Sequence, residues 1–364
     1  MGKKCGRCTT RYCGPACQEQ HWKEGGHDKL CKKIKKGGGA EQYHANDKYA
    51  QAVIVAVEKC AEDTKGQTCY ICTEDLHWKT KEGLVRGCAC RGTAGFAHVS
   101  CLAEQAKILV GDAEERNLDC KVKDDKWEQW WTCSLCEQNY HGVVVCALGW
   151  ACWKTYLGRL ETDQARFKAM TLLGNGLYLA GHLAAALSVR QAELAMKLRL
   201  GVSEKGILAV QGNLAGTYQV LGRVEHALSM RQEVYSGCLR VFGKENRNTF
   251  ISALNYASSL LKNKQFEDAK SPMRKNIPVA RRVLGESNDI TLKMRCIYAR
   301  VLYLDDSATL GDLREAVNTL EEMAQTARRV LGGAHPATVD NEKYLRWSQA
   351  ALRARDTPPP GGVS

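Results

Sequence analysis

The sequence predicts a mostly α-helical chain, an α-solenoid of stacked helix pairs preceded by two small cysteine-rich modules. Three observations predict it. Sixteen of the 18 cysteines lie at or before Cys152, leaving only Cys238 and Cys296 beyond. In the second half a short mark ending in glycine recurs at intervals of 42, 42 and 47 residues. The 364 residues are 44% hydrophobic and 25% charged, which suits two or three globular domains rather than a disordered chain.

The cysteines are expected to be reduced. The residues after Met1 are rich in lysine and cysteine without an apolar segment, so no secretory leader is expected. The longest apolar run, Val143 to Trp153, has 11 residues. A bilayer span needs about 20, so this run predicts a buried helix and no membrane span. An intracellular location, cytoplasmic or nuclear, is the expectation. There, clustered cysteines read as metal ligands and not as disulfides.

From Cys69 the ligand-type residues fall in four pairs. Cys69-x2-Cys72 is followed after 15 residues by Cys88-x-Cys90, after 7 by His98-x2-Cys101, and after 31 by Cys133-x2-Cys136. Two thiolates on one tight turn grip zinc well, and eight ligands fill two tetrahedral sites. With the run Gly87-Cys88-Ala89-Cys90-Arg91-Gly92-Thr93, the pattern resembles the RING-CH, or RING-variant, zinc finger over residues 66–142. The resemblance implies interleaving, with Cys69, Cys72, His98 and Cys101 on one zinc and Cys88, Cys90, Cys133 and Cys136 on the other. It also implies a partner surface for a ubiquitin-conjugating enzyme. Ile71, before the second cysteine, fits that surface. Gln105 stands where the family often has tryptophan, and Glu137 where it often has a basic residue. Trp127, Trp130 and Trp131 are expected to pack the core of the loop before Cys133.

A second cluster lies upstream. Tyr12-Cys13, Cys17-Gln18-x2-His21-Trp22 and His27-x3-Cys31, preceded by Cys5-x2-Cys8, resemble the MYND zinc finger across residues 5–31, within a partial module over residues 1–36. The resemblance implies a peptide-binding module with one complete site from Cys5, Cys8, His27 and Cys31. Cys13 and Cys17 would be half of another, either because the true start lies upstream or because His21, a water or another chain completes it. Zinc is therefore the expected cofactor, about three ions per chain. Residues 1–40 carry ten Lys/Arg against three Asp/Glu, and the formal net charge is +12. Three thiolate-rich zinc sites would bring that to about +8. Lys32-Lys33-Ile34-Lys35-Lys36 reads as a solvated helix end, and no nucleic-acid partner is expected. Residues 37–65 read as linker and helix, with Asp47 to Glu62 packing through Ala50, Val53, Ile54 and Val57.

Residues 143–356 read as helices joined by short turns, with a disordered tail over 357–364. The marks are Leu198-Arg199-Leu200-Gly201, Arg240-Val241-Phe242-Gly243, Arg282-Val283-Leu284-Gly285 and Arg329-Val330-Leu331-Gly332. Thr249, Thr291 and Thr338 follow their glycines by six, and Ala186, Ala227, Ala269 and Ala316 precede them by about 16. The alanine lets two helices approach, and the glycine ends the second. Asn213-Leu214-Ala215-x2-Tyr218-x3-Gly222-x4-Ala227 and Leu331-Gly332-x2-His335-Pro336-x-Thr338 resemble the tetratricopeptide repeat of the kinesin-light-chain type. Four units cover about residues 165–352. The extra residues of the last fall in a turn around Leu304 to Gly311, and Ala337 to Arg355 form a cap.

Stacked helix pairs make a groove for a peptide or protein ligand. Arg190, Arg231 and Arg274 recur near one phase and would line either the groove or a solvated face. Gly174-x-Gly176 lacks a preceding strand and is no dinucleotide site. No catalytic residues are singled out. The combination predicts a ubiquitin ligase or ligase-like adaptor whose repeats select substrate. The alternative is a non-enzymatic interaction scaffold with structural zinc fingers.

Overall fold

A computed structural model describes residues 3–8, 10–331 and 336–356. The expected tail over 357–364, Gly332 of the last repeat mark, and His335 lie outside them. The chain forms two compact units, Met1–Met196 and Lys197–Ser364.

The first unit opens with a short antiparallel pair, β1 (Lys3–Lys4) and β2 (Arg11–Tyr12). Helices α1 (Pro15–Lys23), α2 (His27–Lys36) and α3 (Ala40–Cys60) follow. Proline enters α1 at its first turn, where the missing N–H costs nothing. Lys33, Lys35 and Lys36 crowd the end of α2, where the helix dipole favours cations, while Cys31 and Ile34 are buried. Next come α4 (Val99–Glu115), α5 (Cys120–Trp127) capped by Asp119, and a 3-10 turn, Glu128–Trp130. Helices α6 (Gly142–Tyr156), α7 (Gln164–Leu179) and α8 (Leu183–Arg199) complete the unit, α8 with all but its last three residues.

Helix α6 is the apolar run Val143 to Trp153, and it is buried as expected. It packs against α3, α4 and α7. The approach to α7 is close: a Cβ at Gly176 would sit 2.7 Å from the Val145 carbonyl oxygen. This packing explains Gly176, whereas a Cβ at Gly174 would meet Arg190 Cγ of α8 at 3.3 Å. One core joins α6 to Tyr49, Val53 and Ala56 of α3, to Trp127 and Trp130, and to Cys69, Cys88, Cys101 and Cys133. Trp127 and Trp130 pack as expected against Tyr156, with ring centroids 5.0 and 5.8 Å away.

Helix α3 begins earlier than expected, and its buried stripe is different. Ala45, Tyr49, Val53, Ala56 and Cys60 face inward at helical spacing. Ala50 and Ile54 each lie one residue past a buried position, about 100° around the helix. Both are exposed there, so these two expected packing positions are not buried. Val57 is half-buried.

The second unit is a run of antiparallel helix pairs. Its helices are α9 (Glu204–Val220), α10 (Val224–Phe242), α11 (Arg247–Lys262), α12 (Phe266–Leu284), α13 (Asp289–Leu304), α14 (Leu310–Leu331) and α15 (Pro336–Asp356). Each packs on the next from α9 to α15. Ala227, Ala269 and Ala316 are completely buried, as close helix crossings require. Gly243 and Gly285 end α10 and α12 with φ of 81° and 93°, a region that disfavours residues with a Cβ. Thr249 is fixed by that turn, since its hydroxyl donates to the Gly243 carbonyl at 2.7 Å. Phe250, Met273, Met294, Leu302 and Leu320 are fully buried, each contributing about 1.5–3 kcal/mol of transfer free energy. The protein is thus mostly α, with tetratricopeptide-like helix pairs behind small Cys/His modules.

The longer last interval falls between α13 and α14. Asp305 folds back there, accepting from Ser307 N and Oγ at 2.9 and 2.7 Å and from Lys270 Nζ of α12 at 2.7 Å. Arg190 is buried, with its guanidinium over the Tyr178 ring and one nitrogen donating to Asn175 Oδ1 at 2.9 Å. A solvated face does not describe it. Arg274 donates from Nε to the Tyr298 hydroxyl at 3.0 Å.

Candidate metal centres

Three groups of four ligand-type side chains converge in the first unit. They are Cys5, Cys8, His27 and Cys31; Cys69, Cys72, His98 and Cys101; and Cys88, Cys90, Cys133 and Cys136. In each, the four ligand atoms lie within 4.8 Å of one another. The structure therefore brings together the same foursomes that the resemblances imply.

Local turns aim the sulfurs. Cys69 N donates to the Glu74 carbonyl at 2.9 Å, and Thr73 N donates to the Cys69 carbonyl at 2.8 Å. Cys133 repeats this with Gln138 and Glu137, both at 2.9 Å. The residue after each second cysteine turns left-handed: Thr73 has φ 65° and Glu137 φ 56°. Such turns point backbone N–H groups at the first sulfur, as with Ile71 N to Cys69 Sγ at 3.4 Å. The other two ligands of the Cys69 group come from the entry of α4: His98 is its N-cap and Cys101 lies in its first turn. Gly95, at φ 84°, passes over the third group, and a Cβ there would lie 2.6 Å from Cys90 Cβ and 3.1 Å from Cys88 Sγ.

Distances and charge both suit zinc. A tetrahedron with Zn–S bonds of about 2.3 Å has edges of about 3.8 Å. Cys5 to Cys31 and Cys90 to Cys133 are both 3.8 Å between sulfurs. His98 Nδ1 lies 3.3 Å from Cys72 Sγ and 3.6 Å from Cys101 Sγ, while its Nε2 donates to the Asp75 carbonyl at 3.2 Å. That outer bond leaves Nδ1 as the ligating nitrogen. His27 instead presents Nε2, 3.3 Å from Cys8 Sγ.

The thiols divide their protons unequally. Burial would raise Cys69, yet N–H groups of Cys72, His98 and Ile71 hold it below its ordinary value. Cys136 comes down to about 7 and Cys5 to about 6, both against burial, through backbone N–H donors. Their neighbours go up. Burial first, and then hydrogen bonds and charge from adjacent thiolates, raise Cys90 and Cys101 and push Cys31 to about 11. Each group is built for thiolates but repels its own full charge. A divalent cation among the four ligand atoms removes that conflict, and its binding becomes folding free energy.

Cys13 and Cys17 are arranged differently. Their sulfurs are bonded to each other, and they join no group of three or more ligand-type side chains among the described residues. A disulfide sulfur offers no thiolate, so this pair as it stands is not a metal half-site. His21 is committed elsewhere, with Nδ1 paired to the Tyr12 hydroxyl at 3.1 Å and its ring 4.8 Å from that of His27.

Ile71 is exposed at the tip of its turn. The structure adds Leu135, exposed at the matching position of Cys133-x2-Cys136, and Ile108 on α4. Between the two turns the Tyr70 hydroxyl meets Ser134 Oγ at 3.2 Å and Gln105 Oε1 at 3.5 Å. Leu135 was legible from the repeated spacing; Tyr70 and Ile108 were not.

Among the described residues no helix is long and apolar enough to cross a membrane. No curated protein matches the chain. Two crystal structures of a kinesin light chain of Podosopora anserina, with nearly identical TPR-like repeats, are 20% identical with a TM-score of 0.46. The first, a point variant, covers 52% of this chain and 88% of its own; the second covers 53% and 90%. BtubC (BKLC) from P. vanneervenii is 13% identical with a TM-score of 0.39, covering 73% of this chain and 96% of its own. Against residues 69–123 the match is to the RING-variant domain, the stretch that carries six of the eight residues in the two interleaved groups.

Proposed function

We propose that the protein is a zinc-dependent ubiquitin ligase or ligase-like adaptor. In this reading three zinc ions occupy the three Cys/His groups. Residues 66–142 recruit a ubiquitin-charged conjugating enzyme. The helix pairs of residues 143–356 hold substrate, assisted by the MYND-like finger of residues 1–36 and joined through residues 37–65. Such a domain donates no nucleophile, since its contribution is to hold two reactants together. The core shared with α3 and α6 gives the recruiting surface a rigid base.

The observation that carries the reading is the pairing of Ile71 and Leu135. Two exposed apolar side chains top the two metal turns, tied across by Tyr70, Ser134 and Gln105. The test is discharge of a panel of ubiquitin-charged conjugating enzymes by the full chain. Ile71→Ala should slow discharge at least about tenfold, the effect of about 1.4 kcal/mol of lost binding. Cys88→Ala with Cys90→Ala should abolish it. If no enzyme is discharged faster by the native chain than by the double variant, the ligase reading is wrong.

Gln105 and Glu137 favour a second reading, a scaffold that uses zinc only for folding. A neutral and an acidic side chain stand where the resemblance leads one to expect tryptophan and a basic residue. Peptide capture that depends on the helix pairs, without ubiquitin transfer, would support it.

A further inference from the structure

We infer that Glu82 is a positioning residue for the metal centre formed by Cys69, Cys72, His98 and Cys101. The inference rests on the reading of that group as a metal site.

Helix α4 delivers two of the four ligands from its first turn, but its own N-cap residue cannot cap it. His98 stands at that position, and its ring belongs to the ligand group; it makes no side-chain cap. The first N–H groups of a helix need acceptors. Glu82 supplies one from a separate loop. Its Oε1 accepts from Ser100 N at 2.6 Å, and its Oε2 accepts from Ser100 Oγ at 2.9 Å. A carboxylate at a helix N-terminus is also favoured by the dipole. Ser100 lies between His98 and Cys101, so the bidentate clamp sits on the segment that spaces these ligands.

The clamp is itself held. His77 N donates to the Glu82 carbonyl at 3.0 Å, and Lys81 N to the His77 carbonyl at 2.9 Å, with Lys81 at φ 59°. This repeats the turn built at Cys69 and Cys133, with His77 in the place of the first cysteine. The His77 ring then packs 5.4 Å from that of His98. On the far side the Tyr49 hydroxyl lies 3.0 Å from Ser100 Oγ. That oxygen spends its proton on Glu82, so Tyr49 donates to it. The Lys154 ammonium covers the Tyr49 ring at 3.4 Å. Glu82 thus ends a chain running from α6 through α3 into the first turn of α4.

The test loads the full chain with cadmium-113 and follows each centre by its resonance. Native protein should give two signals from centres of three thiolates and one imidazole, and one from the all-thiolate centre. The signal of interest is identified by its loss in Cys101→Ala. Glu82→Ala should shift or broaden that signal alone and speed cadmium loss to EDTA from that centre about 10–100-fold. Glu82→Gln keeps one acceptor oxygen and should fall between. Tyr49→Phe removes its own bond to Ser100 but leaves both Glu82 bonds in place, and should change release less than about threefold. Unchanged signals and release in both Glu82 variants would overturn the inference while leaving the metal reading intact. So would a Tyr49→Phe effect as large as that of Glu82→Ala, which would assign the loss to core packing. If native protein binds no cadmium at the three groups, the metal reading falls and the inference with it.

Discussion

Removing Lys270 should destabilise the second unit more than any exposed ion pair in it would suggest. Lys270 Nζ lies 2.7 Å from Asp305 Oδ2, with side-chain exposures of 5% and 7%. Lys270→Met leaves the Asp305 carboxylate buried with only Ser307 for company. Breaking a buried pair from one side costs about 3–5 kcal/mol. The two bonds from Ser307 remain, so about 3 kcal/mol is expected, or roughly 6–12 °C in the Tm of a unit of this size. Lys293→Met is the control: its partner Asp289 lies at 2.8 Å, but the two are 62% and 74% exposed. That loss should stay below about 0.5 kcal/mol. Thermal unfolding, with amide exchange in α12 and α13 as the local readout, measures both. The pair also carries a pH signature. Burial would raise Asp305, but Lys270 and Ser307 outweigh it and hold the carboxyl at about 2, below its ordinary value of 3.8. A depressed carboxyl stabilises the fold above its unfolded value and loses that contribution as pH falls toward about 2. The difference is about 2 kcal/mol. Lys270 is raised despite burial, through Asp305 and Glu267, so its contribution is complete below pH 10.5 and fades above it. If Lys270→Met and Lys293→Met cost the same, the account of this turn is wrong.

Two further outcomes follow from the metal groups. EDTA should unravel the 69–136 loops and raise protease sensitivity in the first unit, while amide protection from α10 to α14 stays within about twofold, because no metal group lies among the described residues of that unit. Loss of protection throughout both units on chelation would contradict this. Gly95→Ala should lower the metal content by one ion, measured by elemental analysis. Its Cβ has no room beside Cys88 and Cys90, and φ of 84° adds strain. Retention of all bound metal would refute that reading.

Much of this was readable in one dimension. Metal ligands come in short pairs because a single tight turn must aim two atoms at one point. The pairs at Cys69, Cys88, His98 and Cys133 were therefore visible as spacing. The helix pairs were visible because each repeat must present a small alanine and a turn glycine at the same phase. Ala227, Ala269 and Ala316 are buried for that reason.

Other features depend on partners far along the chain, and no local period records those. Glu82 caps a helix 18 residues away, and Lys270 meets Asp305 across 35. Gly176 is required by the backbone of α6, not by its own helix. The inward face of α3 was misjudged for the same reason. Ile54 is apolar and helical in spacing, but the wall offered by α6 selects Tyr49, Val53 and Ala56. The sequence by itself determined where metal groups and helix pairs occur, because short-range geometry writes itself into spacing. The tertiary structure alone decided which face is buried and which distant side chain steadies a ligand, because those are properties of surfaces that meet only once the chain has folded.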